Sequence, residues 1–472
     1  MFETVAFSPV VIKELCQELR MKAFTHFFMW TQVLMAGAVF IDLAASDETN
    51  VRASMFAGLM WIVLYCSLFI LFPARALQSF NKEEKANSLE LVLLTKLSGA
   101  RLVFGKYFAI MSLAGLTIVS LLPYLFLQYF LRGSDIMESV TELYLLTLAS
   151  AITIAVTLLN SAMSRGRSGA VYFMIGLVLL AWISRMVVSA LYASSKWFSS
   201  LPLLTVAILL IYVSITITQL LMIASSRIAP IYENYTSIKR LIGLLVLGLT
   251  TMFVLIFPSV KELVLVLCFI SILPIIVSSC FEQMHPLLGL RLQIKRFTPW
   301  LTYSGWPQGM VYTLTILVWF NSLIFFSGAV TISATKNFPE FCFFAFIGLI
   351  MPRALMLTMP AVFGRTFFAY SIIQVVMLII GAGLSAYTYR LPIISIIPSF
   401  FPMLTAIYYF DGSSYMIDKI SVPVVMVIAI GTIVLLSVQA FREVRKTIEA
   451  GRAALASSRL SPETISDKPV TE

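Results

Sequence analysis

The sequence predicts an all-α polytopic membrane protein of about twelve transmembrane helices, and three observations predict it. First, 60% of the residues are hydrophobic and 12% are charged, against about 25% charged in a soluble domain. Second, apolar runs of about 20 residues, the length a helix needs to cross a hydrocarbon core, recur along the whole chain. Third, most of the 33 Lys and Arg gather in alternate loops between these runs, as orientation signals do. The net charge of +10 therefore reads as a topology signal, and no nucleic-acid partner is expected.

In chain order, residues 1–23 form the first region. Ser8 is placed to cap a helix and Pro9 to occupy its first turn. Val11, Ile12, Leu15 and Leu19 then share one face, with Lys13, Glu14 and Gln17 on the other. That pattern predicts an amphipathic helix lying on the membrane before the first crossing. The opening Met-Phe-Glu has no basic start, so no removable signal peptide is expected.

Spans are expected at 24–43, 53–72, 103–130, 138–163, 169–194 and 200–224, a first six-span unit over 24–224. A second unit over 225–440 has spans at 240–257, 262–280, 308–331, 340–360, 364–387 and 419–440. Lys and Arg then lie mostly on the side of the two termini, which are expected in the cytoplasm. The stretch 391–410 carries Pro392, Pro398 and Pro402, each of which removes a backbone donor. It is expected to enter and leave the bilayer on one face. Residues 441–472 read as a helix continuing into water and then a disordered tail.

Both halves share a basic prelude (8–22 and 225–240), a pair of spans, a longer loop and four further spans. This layout admits a duplication and equally a chance division of twelve spans into halves.

The most informative loop lies between the second and third spans. Asn87 can cap a helix, Glu90 completes a box-like start, and Gly99 can take the left-handed conformation that stops it. Leu89, Val92, Leu93 and Leu97 fall on one helical face between them. About eleven residues rising ~1.5 Å each give half a membrane crossing, so 88–98 is expected to lie beneath the bilayer. Spacing alone allows either a docking helix or one resting on headgroups.

Enzyme chemistry finds little support. No glycine-rich phosphate loop is present, so the chain is not expected to hydrolyse ATP. The five cysteines show no paired spacing, and His26 and His285 are far apart, so no disulfide framework or metal site is expected.

The stretch from Ser88 to Lys106 resembles the "LELLLxTPLS…GK" segment of ABC type-2 (export-type) permeases. Lys96 stands where that family has Pro. The run from Ser8 to Arg20 is similar to the "NPVLxKELRQxLR" opening of many such subunits. The resemblance implies that 88–98 is a coupling helix seated on a separate ABC ATPase, which would hold ATP and Mg; this chain would carry no cofactor. It implies contacts with that partner from Glu83, Glu84, Glu90, Leu93, Thr95, Lys96, Leu97, Ser98 and Arg101. The tight basic turn 164–168, through Arg165 and Arg167, would be a shorter second contact. The implied function is substrate efflux by alternating access across a bacterial inner membrane, by this chain alone or beside a second copy or paralogue. Apart from the resemblance, the span count also fits a secondary transporter or a non-transporting membrane scaffold. The spans carry no central carboxylate of the kind that ion-coupled carriers often use.

Overall fold

The computed structural model of the chain describes residues 9–44, 54–85, 98–132, 136–163, 203–229, 235–280, 282, 305–327, 338–358, 373 and 418–459. The chain separates into two compact units, Met1–Tyr235 and Thr236–Glu472. Every regular element among the described residues is helical. Among the described residues eight helices are long and apolar enough to cross a membrane: Leu59–Phe80, Gly99–Leu127, Ser139–Met163, Leu204–Ile228, Thr236–Ile256, Lys261–Ser279, Trp306–Ser327 and Met426–Lys446. The chain is an all-α, multi-pass integral membrane protein.

Eight is fewer than the twelve spans expected from the sequence. The span expected at 24–43 qualifies only as one arm of a pair, Val11–Leu19 and Phe24–Phe40, bent by 60°. In the helix Phe338–Thr358 the apolar part is the shorter Phe346–Met356. The expected spans 169–194 and 364–387, apart from residue 373, lie outside the described residues, as does 391–410.

The first unit contains α1 (Pro9–Leu19), α2 (Lys22–Ala44), α3 (Ser54–Cys66), α4 (Phe72–Lys85), α5 (Gly99–Arg132), α6 (Ile136–Met163) and α7 (Leu203–Ile228). One widened π-helical turn, Ser67–Leu71, joins α3 to α4. There the Phe72 N–H reaches back to the Ser67 carbonyl, five residues earlier. Pro73 follows at once, so the wide turn comes where a donor is missing from the helical ladder.

The sequence places the end of the second span at residue 72, but the helix continues to Lys85. Phe72, Ala76, Leu77 and Phe80 prolong the face begun by Leu64, Leu68 and Phe69, and all of them are buried. A core face that persists past the apolar run holds a helix together through Arg75 and Ser79.

The core of this unit joins that face to Val103, Ile110 and Leu113 of α5, Ile154 and Leu158 of α6, and Leu221 and Ala224 of α7. The Tyr144 hydroxyl donates to the Val206 carbonyl at 3.1 Å, tying the start of α6 to the start of α7. One face of α6 is polar yet buried: Ser150, Thr153, Thr157 and Ser161 recur at helical spacing. The first three donate to carbonyls of their own helix, which lets a hydroxyl stripe survive in an apolar bundle.

The second unit contains α8 (Thr236–Ile256), α9 (Lys261–Ser279), α10 (Trp306–Ser327), α11 (Phe338–Thr358) and α12 (Asp418–Arg459). α8 shows the solvent it was built for. Its buried face includes Lys239, Arg240, Gly243 and Thr250, while Ile238, Leu241, Leu245, Met252 and Leu255 are exposed. A helix whose outer side is the more apolar one is matched to lipid, not water. α12 is similar, exposing Val427, Ile430, Val434 and Phe441.

Phe269, Phe320 and Phe346 meet edge-on and tilted at 5.6–6.4 Å in the centre of the unit. Two glycines permit close approach there. A Cβ on Gly243 would overlap the Tyr312 hydroxyl, and one on Gly309 would overlap the Ser279 carbonyl. Arg353 is buried with its guanidinium 5.5 Å from the centre of the Trp306 ring. It is packed against Trp306 inside the bundle.

Candidate functional site

The segment singled out by the sequence, 88–98, is bracketed by α4 and α5. Of the residues expected to meet a partner, Glu83 and Glu84 fall in the last turn of α4, which ends at Lys85. Glu90, Leu93, Thr95, Lys96, Leu97, Arg165 and Arg167 lie outside the described residues, as does Asn87. Ser98 and Arg101 are at the start of α5, with Arg101 exposed.

Here the structure corrects a sequence-based expectation. Gly99 was expected to end a helix in the left-handed conformation, but it is the first residue of α5, and among the described glycines only Gly305 has a positive φ. Ser98 caps the new helix: its Oγ accepts from the Arg101 N–H at 3.4 Å, the third helical position. The next free donor, the Ala100 N–H, is taken by the Tyr235 hydroxyl at 3.2 Å. Gly99 is small for a packing reason. A Cβ there would lie 3.0 Å from the Ala229 Cβ and 3.1 Å from its Cα, at the end of α7.

α1 shows a contact that the sequence did not disclose. Its buried face is Val11 and Glu14, with Leu15 and Glu18 partly buried, while Ile12 and Leu19 are exposed. The helix is turned so that two carboxylates, and not two aliphatic side chains, face the protein. The reason lies across the interface. Lys106 of α5 meets Glu14 at 3.3 Å, with side chains 5% and 11% exposed. Arg75 of α4 meets Glu18 at 3.2 Å. A cation inside an apolar helix is costly unless paired, so Arg75 and Lys106 dictate which face α1 offers.

Each cation also lies against an aromatic ring: Lys106 is 5.4 Å from the Phe80 centroid and Arg75 is 5.3 Å from that of Phe24. Phe80 in turn donates its backbone N–H to Ser161 of α6 at 3.2 Å. The helix entering the 86–97 segment, the helix leaving it and the N-terminal helix are thus joined in one buried polar cluster. α6 is tied to it through Ser161.

Sequence reasoning found α1 and the 88–106 stretch separately and missed that they touch. The signal was available. Arg75 and Lys106 each stand among apolar neighbours, between Phe72 and Leu77 and between Leu102 and Ile110, and Glu14 and Glu18 are spaced to share one helical face. Among the described residues no group of three or more His, Cys, Asp or Glu could hold a metal. No family model, no curated protein and no solved structure matches this chain.

Proposed function

We propose that this chain is the membrane subunit of an ATP-driven exporter of the ABC type-2 kind, driven by a separate ATPase chain that holds ATP and Mg. In this reading the chain is not itself an enzyme. It spans a bacterial inner membrane about twelve times, with both termini cytoplasmic, two six-span units and room for a second copy or paralogue. Segment 88–98 docks on the ATPase, with Glu83, Glu84 and Arg101 at its margins and Arg165 and Arg167 as the lesser contact.

The observation that carries the reading is the buried polar cluster that locks α1 to α4 and α5, the helices on either side of that segment. A force applied to 88–98 would be delivered to three helices at once and to α6 through Ser161. Switching needs an element of that kind, which moves as a body and does not deform locally. Among the described residues Glu14, which is buried in α1, and Glu282, which follows the end of α9, both lie outside the eight candidate spans. That disfavours an ion-coupled carrier.

The test is to replace Glu90 by Lys, and Leu93 or Leu97 by Asp, and to measure membrane abundance, co-purification of a Walker-type ATPase, and ATP hydrolysis in the purified complex. Normal abundance with loss of co-purification or of hydrolysis is expected. Full retention of both would refute docking through 88–98. A wild-type chain that captures no ATPase would favour the scaffold reading.

A further inference from the structure

We infer that the second unit holds the phosphate of an anionic phospholipid headgroup in a buried cluster where the helix ends meet. Lys239 and Arg240 stand in the first turns of α8, Glu282 just beyond α9, Trp306 and Gln308 in the first turn of α10, and Arg353 near the end of α11. One bundle end therefore gathers three cations and one carboxylate among the described residues. Lys239 meets Glu282 at 3.3 Å, and Arg240 meets the same carboxylate. Arg240 also donates to the Gly305 carbonyl at 3.1 Å, next to Trp306. Arg353 adds its charge 5.5 Å from the Trp306 ring centre.

Three polar atoms beside these charges have no hydrogen-bond partner among the described residues: Trp306 Nε1, Gln308 Oε1 and Ser279 Oγ. Trp306 and Gln308 are each 2% exposed, so bulk water does not satisfy them. The first turn of α10 begins at the same place, and a helix N-terminus favours negative charge. An indole N–H, a hydroxyl, nearby cations and a helix N-terminus together call for an anion with several acceptor oxygens. The unmatched acceptor, Gln308 Oε1, calls for a donor on that same ligand, which the hydroxyls of a glycerol headgroup supply. The outer face of α8 beside Lys239 and Arg240 exposes Ile238 and Leu241, an apolar path for acyl chains. That path favours a lipid over free phosphate.

The experiment uses the full chain, purified and delipidated in a zwitterionic detergent. Its melting temperature is followed while phosphatidylglycerol, phosphatidylcholine or inorganic phosphate is added, since a ligand of the native state raises it. Phosphatidylglycerol should raise it saturably and the other two should not. Trp306→Phe, which keeps the ring and removes only the N–H, and Arg353→Gln should each weaken half-saturation about tenfold, as loss of a charge-assisted hydrogen bond does. If Arg353→Gln does not accumulate, Trp306→Phe and Gln308→Leu decide the matter, because neither alters charge. The proposal is overturned by no response to phosphatidylglycerol, by an equal response to phosphatidylcholine, or by unchanged half-saturation in Trp306→Phe and Gln308→Leu. A full response to inorganic phosphate alone would replace the lipid with a free anion and overturn it equally.

Discussion

Replacing Lys106 by Met tests the reasoning about the first unit most directly. Met keeps most of the length of the side chain and its packing against Phe80, so the change is mainly the loss of charge. It leaves Glu14, a residue 9% exposed, without the cation that it meets at 3.3 Å. Breaking a buried pair from one side costs about 3–5 kcal/mol, because the remaining charge stays desolvated. For a unit of this size each kcal/mol shifts the midpoint about 2–4 °C, so a fall of about 6–20 °C is expected. Glu14→Gln in the Lys106→Met background should recover much of the loss, since the double variant buries no lone carboxylate. The assay is thermal unfolding of the four proteins of this double-mutant cycle in detergent, at two salt concentrations. Screening should change the result little, because the pair is buried. A fall of less than about 1 kcal/mol, or a double variant equal to the sum of the singles, would show that α1 is not held by this pair.

The glycines supply a graded set. Gly309→Ala places a Cβ against the Ser279 backbone and Gly99→Ala one against Ala229, so both should destabilise by about 1–3 kcal/mol, Gly309→Ala the more. Gly37→Ala, Gly115→Ala and Gly248→Ala meet nothing within 4 Å and should be neutral or gain up to about 1 kcal/mol of helix propensity, as unfolding midpoints will report. Gln219→Leu should raise the midpoint, because that amide is fully buried with neither its oxygen nor its nitrogen hydrogen-bonded, at about 1–3 kcal/mol for the unmet groups; a lower midpoint would mean that bound water satisfies it. Burial pushes the Cys280 thiol up to about 12, an effect that Arg353 opposes and Glu282 adds to. Cys16, which is exposed, should therefore react with a thiol reagent at pH 8 while Cys280 reacts only after unfolding. Since the folded state holds that proton more tightly than the unfolded one, Cys280 leaves stability intact below its ordinary pKa and lowers it as pH rises toward 12.

How far the sequence reaches depends on which force sets each feature. Membrane character and the approximate position of most helices follow from hydrophobic composition and run length, because lipid demands an internally bonded, apolar-sided helix whatever its neighbours are. The beginning of α1 at Pro9 was legible from the preference of proline for a first turn, and α12 continues past the last apolar run as expected, to Arg459. The extension of the second span to Lys85 was less so, because the polarity of Arg75 and Ser79 hid a core face carried by Phe72, Ala76 and Phe80.

Only tertiary structure decided the rest. Whether Gly99 ends a helix or begins one turns on Ala229, 130 positions away in sequence, and on the cap from Ser98. Which face of α1 is buried turns on Arg75 and Lys106, whose need for a counter-ion outweighs the preference of Ile12 and Leu19 for burial. A short helix gains little by hiding two aliphatic side chains that lipid accepts equally well. An unpaired cation in an apolar bundle loses much more, so the electrostatic demand sets the orientation. Periodicity locates apolar residues but does not identify what lies opposite them, and in this chain the features around its candidate site were settled by what lies opposite.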